Sequence, residues 1–170
     1  MAYRPISFGR PNGPLEILKA WNRGGEKQVL NRVLDLGLLD RGPEGFDFVP
    51  VGTNLDFDLG FLIERMILGG IRRFDAAEVL DIFREKPRID IKTSLLLMNE
   101  GQFKGSGLDS FTRLKKAGGK EVLGLWEHKD YAAIEDYIRR DAAAFFEVYG
   151  KILPVLAKLG RELRQSGKSE

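Results

Sequence analysis

A helical pattern near the C-terminus restricts the fold of this chain more than any other feature. It runs from about residue 131 to residue 164, which is far longer than a strand. Pro154 lies inside it and predicts a kink, because proline removes a backbone donor and clashes with the preceding turn. Residues 165–170 are expected to be a frayed tail. The second half of the chain is therefore predicted to be mainly helical.

The first half combines strand patterns with shorter helical patterns. Residues 3–9 and 15–21 predict two short strands, and the turn at 10–14 contains an Asn-Gly pair, which is a strong hairpin signal. Residues 48–52 predict a third strand. Apolar residues three and four positions apart predict helices over 26–39, 56–68, 75–84 and 108–116. This order of elements is typical of an α/β sheet with a helical second half.

The length of 170 residues is sufficient to bury a core and predicts a single domain over residues 1–170. Within it, residues 1–25 are predicted to form a strand hairpin. Residues 26–164 are predicted to form an α/β core that ends in the long helix. The sequence shows no internal repeat, no low-complexity tract and no linker.

Composition excludes several kinds of site. The chain has no cysteine, which excludes disulfides, thiolate metal sites and cysteine nucleophiles. His128 is the single histidine, which disfavours a zinc site. The net charge of +2 permits a nucleic-acid partner without indicating one. We expect a cytoplasmic protein with no membrane partner, because the N-terminus has no apolar signal region and no apolar run approaches membrane-spanning length.

Three segments combine acidic residues with asparagine, glycine or tyrosine. The first is G-T-N-L-D-F-D at 52–58, where a strand leads into a helix that opens with two aspartates. The second is R-I-D-I at 88–91, followed by G-L-D-S at 107–110. The third is D-Y-I-R-R-D at 136–141, in which the tyrosine and the second aspartate share one helix face. Each segment alone is typical of a capped helix or a solvated charged surface.

Taken together, the three segments resemble the DEDD superfamily of 3′–5′ exonucleases, in its tyrosine-containing (DEDDy) branch. The order N-x-x-F-D, I-D, G-L-D-S and Y-x-x-x-D carries the resemblance, which extends from about Glu26 to about Leu153. The chain looks most like stand-alone exonucleases that are similar to the proofreading domain of family B DNA polymerases. The resemblance implies a ribonuclease H-like mixed sheet flanked by helices. In such enzymes four carboxylates hold two divalent metals, for which Mg²⁺ or Mn²⁺ is suited by its preference for oxygen ligands.

The resemblance also implies roles for individual residues. Asp58 matches the second-motif aspartate and Asp141 the third-motif aspartate, so both are expected to be metal ligands. Tyr137 matches the tyrosine that orients the attacking water. Asn54 matches the asparagine that braces the turn before the helix, and Phe57 belongs to the same motif. The predicted catalytic residues are therefore Asp58, Tyr137 and Asp141.

The first motif of the family, a D-x-E on the central strand, is missing. Before Asp35 the only acidic residues are Glu16 and Glu26, and neither lies in a D-x-E. Two of the four metal carboxylates are therefore lacking, and the sheet would be without its central strand, which leaves backbone groups unpaired. Three explanations stay open: the fold rearranges, a partner or a second copy fills the gap as in a homodimer, or the natural start codon lies upstream.

Basic pairs and phenylalanines are candidate contacts to nucleic acid. The basic pairs that could contact phosphates are Arg72-Arg73, Lys115-Lys116 and Arg139-Arg140, although surface pairs of this kind are usually solvated. Four phenylalanines at helical spacing are predicted to lie in the core instead of forming base-stacking platforms: Phe57, Phe61, Phe145 and Phe146.

The sequence thus predicts a nucleic-acid-binding protein that resembles a metal-dependent 3′–5′ exonuclease with an incomplete active site. The expected partner is DNA or RNA with a single-stranded 3′ end. Whether the protein recovers the first motif and cuts, or binds without cutting, stays open. The alternative function is that of a non-catalytic interaction or structural subunit that keeps the motifs only as ancestry.

Overall fold

A computed structural model describes residues 1–7, 10–41, 45, 47–114 and 119–166. The structure is mixed α/β and 57% helical. It divides into two compact units, the first made of Met1 and Leu18–Thr93 and the second of Ala2–Ile17 and Ser94–Glu170. The prediction of a single domain stays a prediction.

The described elements are short strands and longer helices. The strands are β1 (Ala2–Tyr3), β2 (Ile6–Ser7), β3 (Arg10–Pro11), β4 (Glu16–Ile17), β5 (Val51–Gly52) and β6 (Ile89–Asp90). The helices are α1 (Gly25–Asp35), α2 (Leu55–Leu68), α3 (Ala76–Glu85), α4 (Lys92–Met98), α5 (Gly119–Glu127) and α6 (Tyr131–Ser166), with a 3₁₀ turn at Leu108–Ser110. Among the described residues, no helix is both long enough and apolar enough to cross a membrane.

The core of the first unit is built from the apolar faces of α1, α2 and α3. Its buried residues are Leu30, Val33, Leu38, Leu39, Leu59, Leu62, Ile63, Met66 and Ile82. On α1 and α2 they follow helical spacing, α3 contributes Ile82, and Leu38 and Leu39 follow α1. The spacing that predicted helices over 26–39 and 56–68 therefore also indicated their buried faces. Those helices and the one predicted over 75–84 are confirmed to within a few residues, except that the first ends at Asp35.

The side chain of Lys86 is buried in this core. Lys86 follows α3 directly and is 2% exposed. Its Nζ donates to the backbone oxygens of Gly37 at 2.7 Å and Gly45 at 3.1 Å, and it lies 5.9 Å from the centre of the Phe48 ring. The lysine therefore joins the end of α3 to the segment that follows α1, and its buried ammonium group is satisfied by backbone carbonyl oxygens.

The second unit begins with an antiparallel hairpin whose two halves differ in register. Ser7 pairs with Arg10, whereas Tyr3 pairs with Glu16, so the second arm contains two more residues than the first. Gly13, with a φ of 109°, lies in this excess segment. The unequal lengths of the two arms indicate a bulge, in which one strand has extra residues while the pairs on both sides of them are kept.

The helical part of the second unit buries residues from α4, the 3₁₀ turn and α6. They are Leu95, Leu108, Ile134, Ala144, Val148, Tyr149 and Ile152. The rings of Phe145 and Tyr149 stack with centroids 5.7 Å apart. α6 runs unbroken from Tyr131 to Ser166 with Pro154 inside it, so the predicted long helix is confirmed and extends into the first residues of the predicted tail.

Three details of the sequence-based fold were wrong. The hairpin reverses between Ser7 and Arg10 instead of at the Asn-Gly pair, which lies in the bulge. The second strand ends at Ile17 instead of Trp21, and the helix predicted over 108–116 is a single 3₁₀ turn, with residues 115–116 outside the described part. The described strands pair only two by two, so the α/β class stands while a ribonuclease H-like sheet stays a prediction.

Candidate functional site

The candidate site lies in the first unit, where a parallel strand pair leads into α2. Val51 of β5 pairs with Ile89 of β6, and Gly52 pairs with Asp90. Two parallel strands that end at the same edge bring their following residues together. The pairing therefore places Asp90 beside the turn of residues 53–54, from which α2 begins.

Asp90 closes the N-terminus of α2 from another part of the chain. Its Oδ1 accepts hydrogen bonds from the backbone N–H of Asn54 at 3.0 Å and of Lys92 at 2.8 Å, and its Oδ2 accepts from the N–H of Leu55 at 2.8 Å. The first N–H groups of a helix lack partners within the helix, and the helix dipole favours a negative charge there. Asp90 satisfies both requirements, a role that no local sequence pattern indicates.

Asn54 occupies the sharpest point of the turn. Its φ of 62° and ψ of 41° lie in the left-handed region, which asparagine adopts more readily than most residues. Its side chain makes no capping bond to α2; its Oδ1 accepts from Nζ of Lys92 at 2.8 Å instead. Asn54 thus holds a lysine amine at the turn from which α2 begins.

Two further carboxylates lie in the first turn of α2. Asp56 forms an ion pair with Nε of Arg88 at 2.9 Å. Asp58 lies at the surface, yet desolvation of its carboxyl group raises its pKa, and the negative charge of Asp90 raises it further, while the ammonium group of Met1 opposes both. The two aspartates are therefore in different electrostatic surroundings although they are two residues apart.

The raised pKa of Asp58 predicts a pH-dependent cost to the fold. The pKa of this carboxyl group is higher in the folded state than its ordinary value of 3.8. As the pH rises from that ordinary value through the folded-state pKa, the protein therefore loses stability. Asp58→Asn should therefore raise the free energy of unfolding at neutral pH by up to about 1 kcal/mol, a small effect because the group is exposed. The gain should vanish at about pH 3, where both states are protonated.

Urea unfolding at the two pH values measures this effect. Asp56→Asn is the matched control, and it should show no gain at neutral pH because that aspartate is paired with Arg88. Equal stabilisation by both variants would contradict a specific electrostatic cost at Asp58.

The other predicted catalytic residues lie on α6, in the second unit. Tyr137 and Asp141 are one helical turn apart and both are partly buried. The basic pair between them is exposed: Arg139 lies 4.0 Å from Glu135, and Arg140 Nε donates to the backbone oxygen of Asp136 at 3.4 Å. Asp58 belongs to the first unit, so the predicted catalytic set is divided between the two units.

The remaining basic pairs have separate surroundings. Arg72 donates to Oε1 of Glu78 at 3.2 Å and lies 4.6 Å from the centre of the Phe74 ring, so its charge is already matched. Arg73 is exposed. Lys115 and Lys116 lie outside the described residues.

Two of the predicted core phenylalanines are at the surface. Phe57 is 68% exposed and Phe61 is 51% exposed, so the core prediction is wrong for both, whereas Phe145 and Phe146 are partly buried. A helical projection of the sequence contains the signal that was missed. The buried residues Leu59, Leu62 and Met66 define one face of α2, and the two phenylalanines project from the opposite side.

The described residues do not make up a two-metal centre. No group of three or more carboxylate or histidine side chains within residues 1–7, 10–41, 45, 47–114 and 119–166 is arranged to hold a metal ion. Both oxygens of Asp90 are engaged by backbone N–H groups. Within the first unit, Asp58 is the one predicted metal ligand, and one carboxylate is too few to fix two metals.

Comparison with protein-family models, with curated proteins and with solved structures found no match.

Proposed function

We propose that the chain binds single-stranded nucleic acid at the first two turns of α2 and does not cut it with its own described residues. The observation that carries the proposal is the pair of exposed rings, Phe57 and Phe61. They are four residues apart, so they lie one above the other on one side of the helix. Exposed aromatic rings in such a row are the usual platforms on which successive bases stack.

The charge beside these rings supports the same function. Nζ of Lys92 donates to the side-chain oxygen of Asn54. The backbone oxygen of Asn54 accepts from the N–H of Phe57 at 3.1 Å. The lysine amine and the first of the two rings are therefore both attached to the turn that begins α2. The partner of Lys92 is a neutral amide, which leaves its positive charge available to a phosphate. Arg88 differs, because Asp56 matches its charge.

The resemblance to DEDDy exonucleases agrees with this position. In that family the segment matched by Asn54, Phe57 and Asp58 supplies one of the metal-binding aspartates. The missing D-x-E and the lack of a three-carboxylate group in the described residues favour a relative that binds without cleavage. A ribonuclease H-like fold, a 3′ end as ligand and Mg²⁺ or Mn²⁺ as an aid to binding at Asp58 are part of this proposal.

A second candidate function is that of a non-catalytic interaction subunit. It is favoured by the apolar surface that α2 and α3 expose, on which Leu68 is 67% and Leu80 is 46% accessible. Surfaces of this kind in soluble proteins often mark contacts with other proteins.

Fluorescence anisotropy with labelled oligo-dT and oligo-U tests the nucleic-acid proposal. Phe57→Ala and Phe61→Ala should each weaken binding about 5- to 100-fold, because one stacked base is lost in each case. Phe103→Ala is the matched control: this ring is also highly exposed but lies in the second unit, and its removal should leave the affinity unchanged. Lys92→Gln should reduce the slope of log K against log salt concentration by about 1, because one phosphate contact is lost.

Two results would count against the proposal. Absence of binding by the unchanged chain at low salt would favour the interaction subunit. Laddering of a 5′-labelled strand from its 3′ end with Mn²⁺, abolished by EDTA and by Asp58→Asn, would mean that the site is completed and cuts.

A further inference from the structure

An apolar groove runs along the first unit between α2 and α3. Two adjoining cavities of about 430 and 310 Å³ share Val79 and Phe83 as lining residues. α2 contributes Gly60, Ile63 and Ile67, among others, and nearly all of the lining surface is apolar. The groove is separate from the proposed nucleic-acid site and does not depend on it.

Gly60 accounts for the depth of the groove at one end. A Cβ at this position would lie 3.7 Å from the tip of the Phe83 ring, so the ring covers the glycine and a larger side chain would fill the space. Leu68 and Leu80 form the exposed walls, with a large part of each side chain open to solvent. An exposed apolar surface with such walls is suited to receive the apolar face of a helix.

The charges that line the groove are of one sign. Glu64 lines one cavity and Asp75 the other, and no basic side chain lines either cavity among the described residues. Asp75 accepts from the N–H of Glu78 at 2.8 Å as the N-cap of α3, which fixes its carboxylate at that end. The groove therefore selects for an apolar helix that carries positive charge on its flanks.

The C-terminal part of α6 has these properties. Val155 is 65% exposed, Leu156 50% and Leu159 48%, and they form one apolar stripe because they lie one to four residues apart on the helix. The segment carries four basic side chains, Lys151, Lys158, Arg161 and Arg164, against the single acidic residue Glu162. Lys151 forms an ion pair with Glu147, and Lys158 forms one with Glu162. Residues 151–164 thus form an amphipathic segment with a positive net charge.

We propose that residues 151–164 of one copy bind in the α2–α3 groove of a second copy. The apolar stripe covers Leu68, Leu80 and Phe83, and the basic flank faces Glu64 and Asp75. As a helix, 14 residues extend about 21 Å, which matches the length of α2. In the proposed dimer each copy places its helix in the groove of the other.

Sedimentation of the full chain over a range of concentrations, with two variants, tests the proposal. Leu80→Glu places a charge in the groove and Leu159→Glu places one in the helical stripe. Each should weaken dimerisation at least about 30-fold, because a charge is buried at the centre of the contact. An equimolar mixture should dimerise again, since the intact helix of the first variant fits the intact groove of the second.

Several controls keep the result interpretable. Leu97→Glu changes a residue of α4 that is more exposed than either test position and lies outside both surfaces, and it should leave the dimer unchanged. If Leu80→Glu loses its helical circular dichroism, Leu68→Glu replaces it as the groove variant. High salt should weaken the dimer because the flanking charges are screened.

Three results would overturn the proposal. A chain that is monomeric at millimolar concentration, or a mixture of the two variants that stays monomeric, would overturn the proposal. Variants that dimerise as well as the unchanged chain would also overturn it. Loss of nucleic-acid binding in the Phe57 and Phe61 variants bears only on the proposed function, because neither ring lines the groove.

Discussion

Replacing Asp90 by alanine should lower the free energy of unfolding by about 3 kcal/mol, since three backbone N–H groups lose their acceptor at a cost of about 1 kcal/mol each. Two of these groups, on Asn54 and Leu55, open α2. Alanine would also remove the bond that holds Asn54 in the left-handed region, where a residue needs support from its surroundings. The strand pair β5–β6 and the first turn of α2 would lose their common point of attachment.

Urea unfolding followed by circular dichroism measures this loss. Asp56→Ala is the matched control, because its carboxylate is exposed and paired only with Arg88; its effect should stay under about 1 kcal/mol. Asp90→Asn should fall between the two, since one amide oxygen can still accept. Equal effects of the alanine variants would show that Asp90 is an ordinary surface aspartate and that the closure of α2 does not stabilise the fold.

The second large effect is expected at Lys86. Lys86→Met keeps the apolar stem but removes the lysine donor from the carbonyl oxygens of Gly37 and Gly45. Gly37 keeps the N–H of Asp40 as a donor, so the loss should be about 1–3 kcal/mol. Arg84→Met is the control, because it removes an exposed cation from the last turn of the same helix and should cost under about 1 kcal/mol. Thermal and urea unfolding of both variants compare the buried and the exposed charge.

The lysine also has a pH signature. Burial lowers the pKa of Lys86 below its ordinary value of 10.5, while the charges of Asp40 and Asp47 act in the opposite direction. The Lys86 ammonium group therefore keeps its proton to a higher pH in the unfolded chain than in the folded one. Because the unfolded state binds more protons in this range, the contribution of Lys86 to the free energy of unfolding increases as the pH rises towards 10.5. The difference in stability between the unchanged chain and Lys86→Met should widen over that interval, and a constant difference would contradict a lowered pKa.

The helices of the first unit could be predicted because their apolar residues recur at helical spacing and the same residues form the core. The strands could not be predicted to the same extent. Each contains two residues, so the alternation that marks a strand has no length in which to develop. The Asn-Gly pair at 12–13 misled the prediction, because asparagine and glycine accept the backbone of a bulge as well as that of a hairpin turn.

The candidate site also contains residues whose roles could be predicted from the sequence and residues whose roles could not. The position of Asn54 and Asp58 around the start of α2 was predictable, because it depends on neighbouring residues. The role of Asp90 was not, since its partners Asn54 and Leu55 lie 36 and 35 residues earlier and no local pattern indicates them. The exposure of Phe57 has a different cause: the leucines occupy the core-facing side of α2, and the spacing of the phenylalanines alone does not show on which side they lie.

The closure of α2 by Asp90 also bears on the order of folding. A helix that carries its own capping residue can complete its first turn as soon as it forms, whereas α2 must wait until a loop of more than 30 residues brings β6 to β5. The core face of α2 can pack against α1 before that event, but its N-terminal turn cannot reach its final geometry. The start of α2 is therefore among the last parts of the first unit to become native, and among the first to open when β5 and β6 separate.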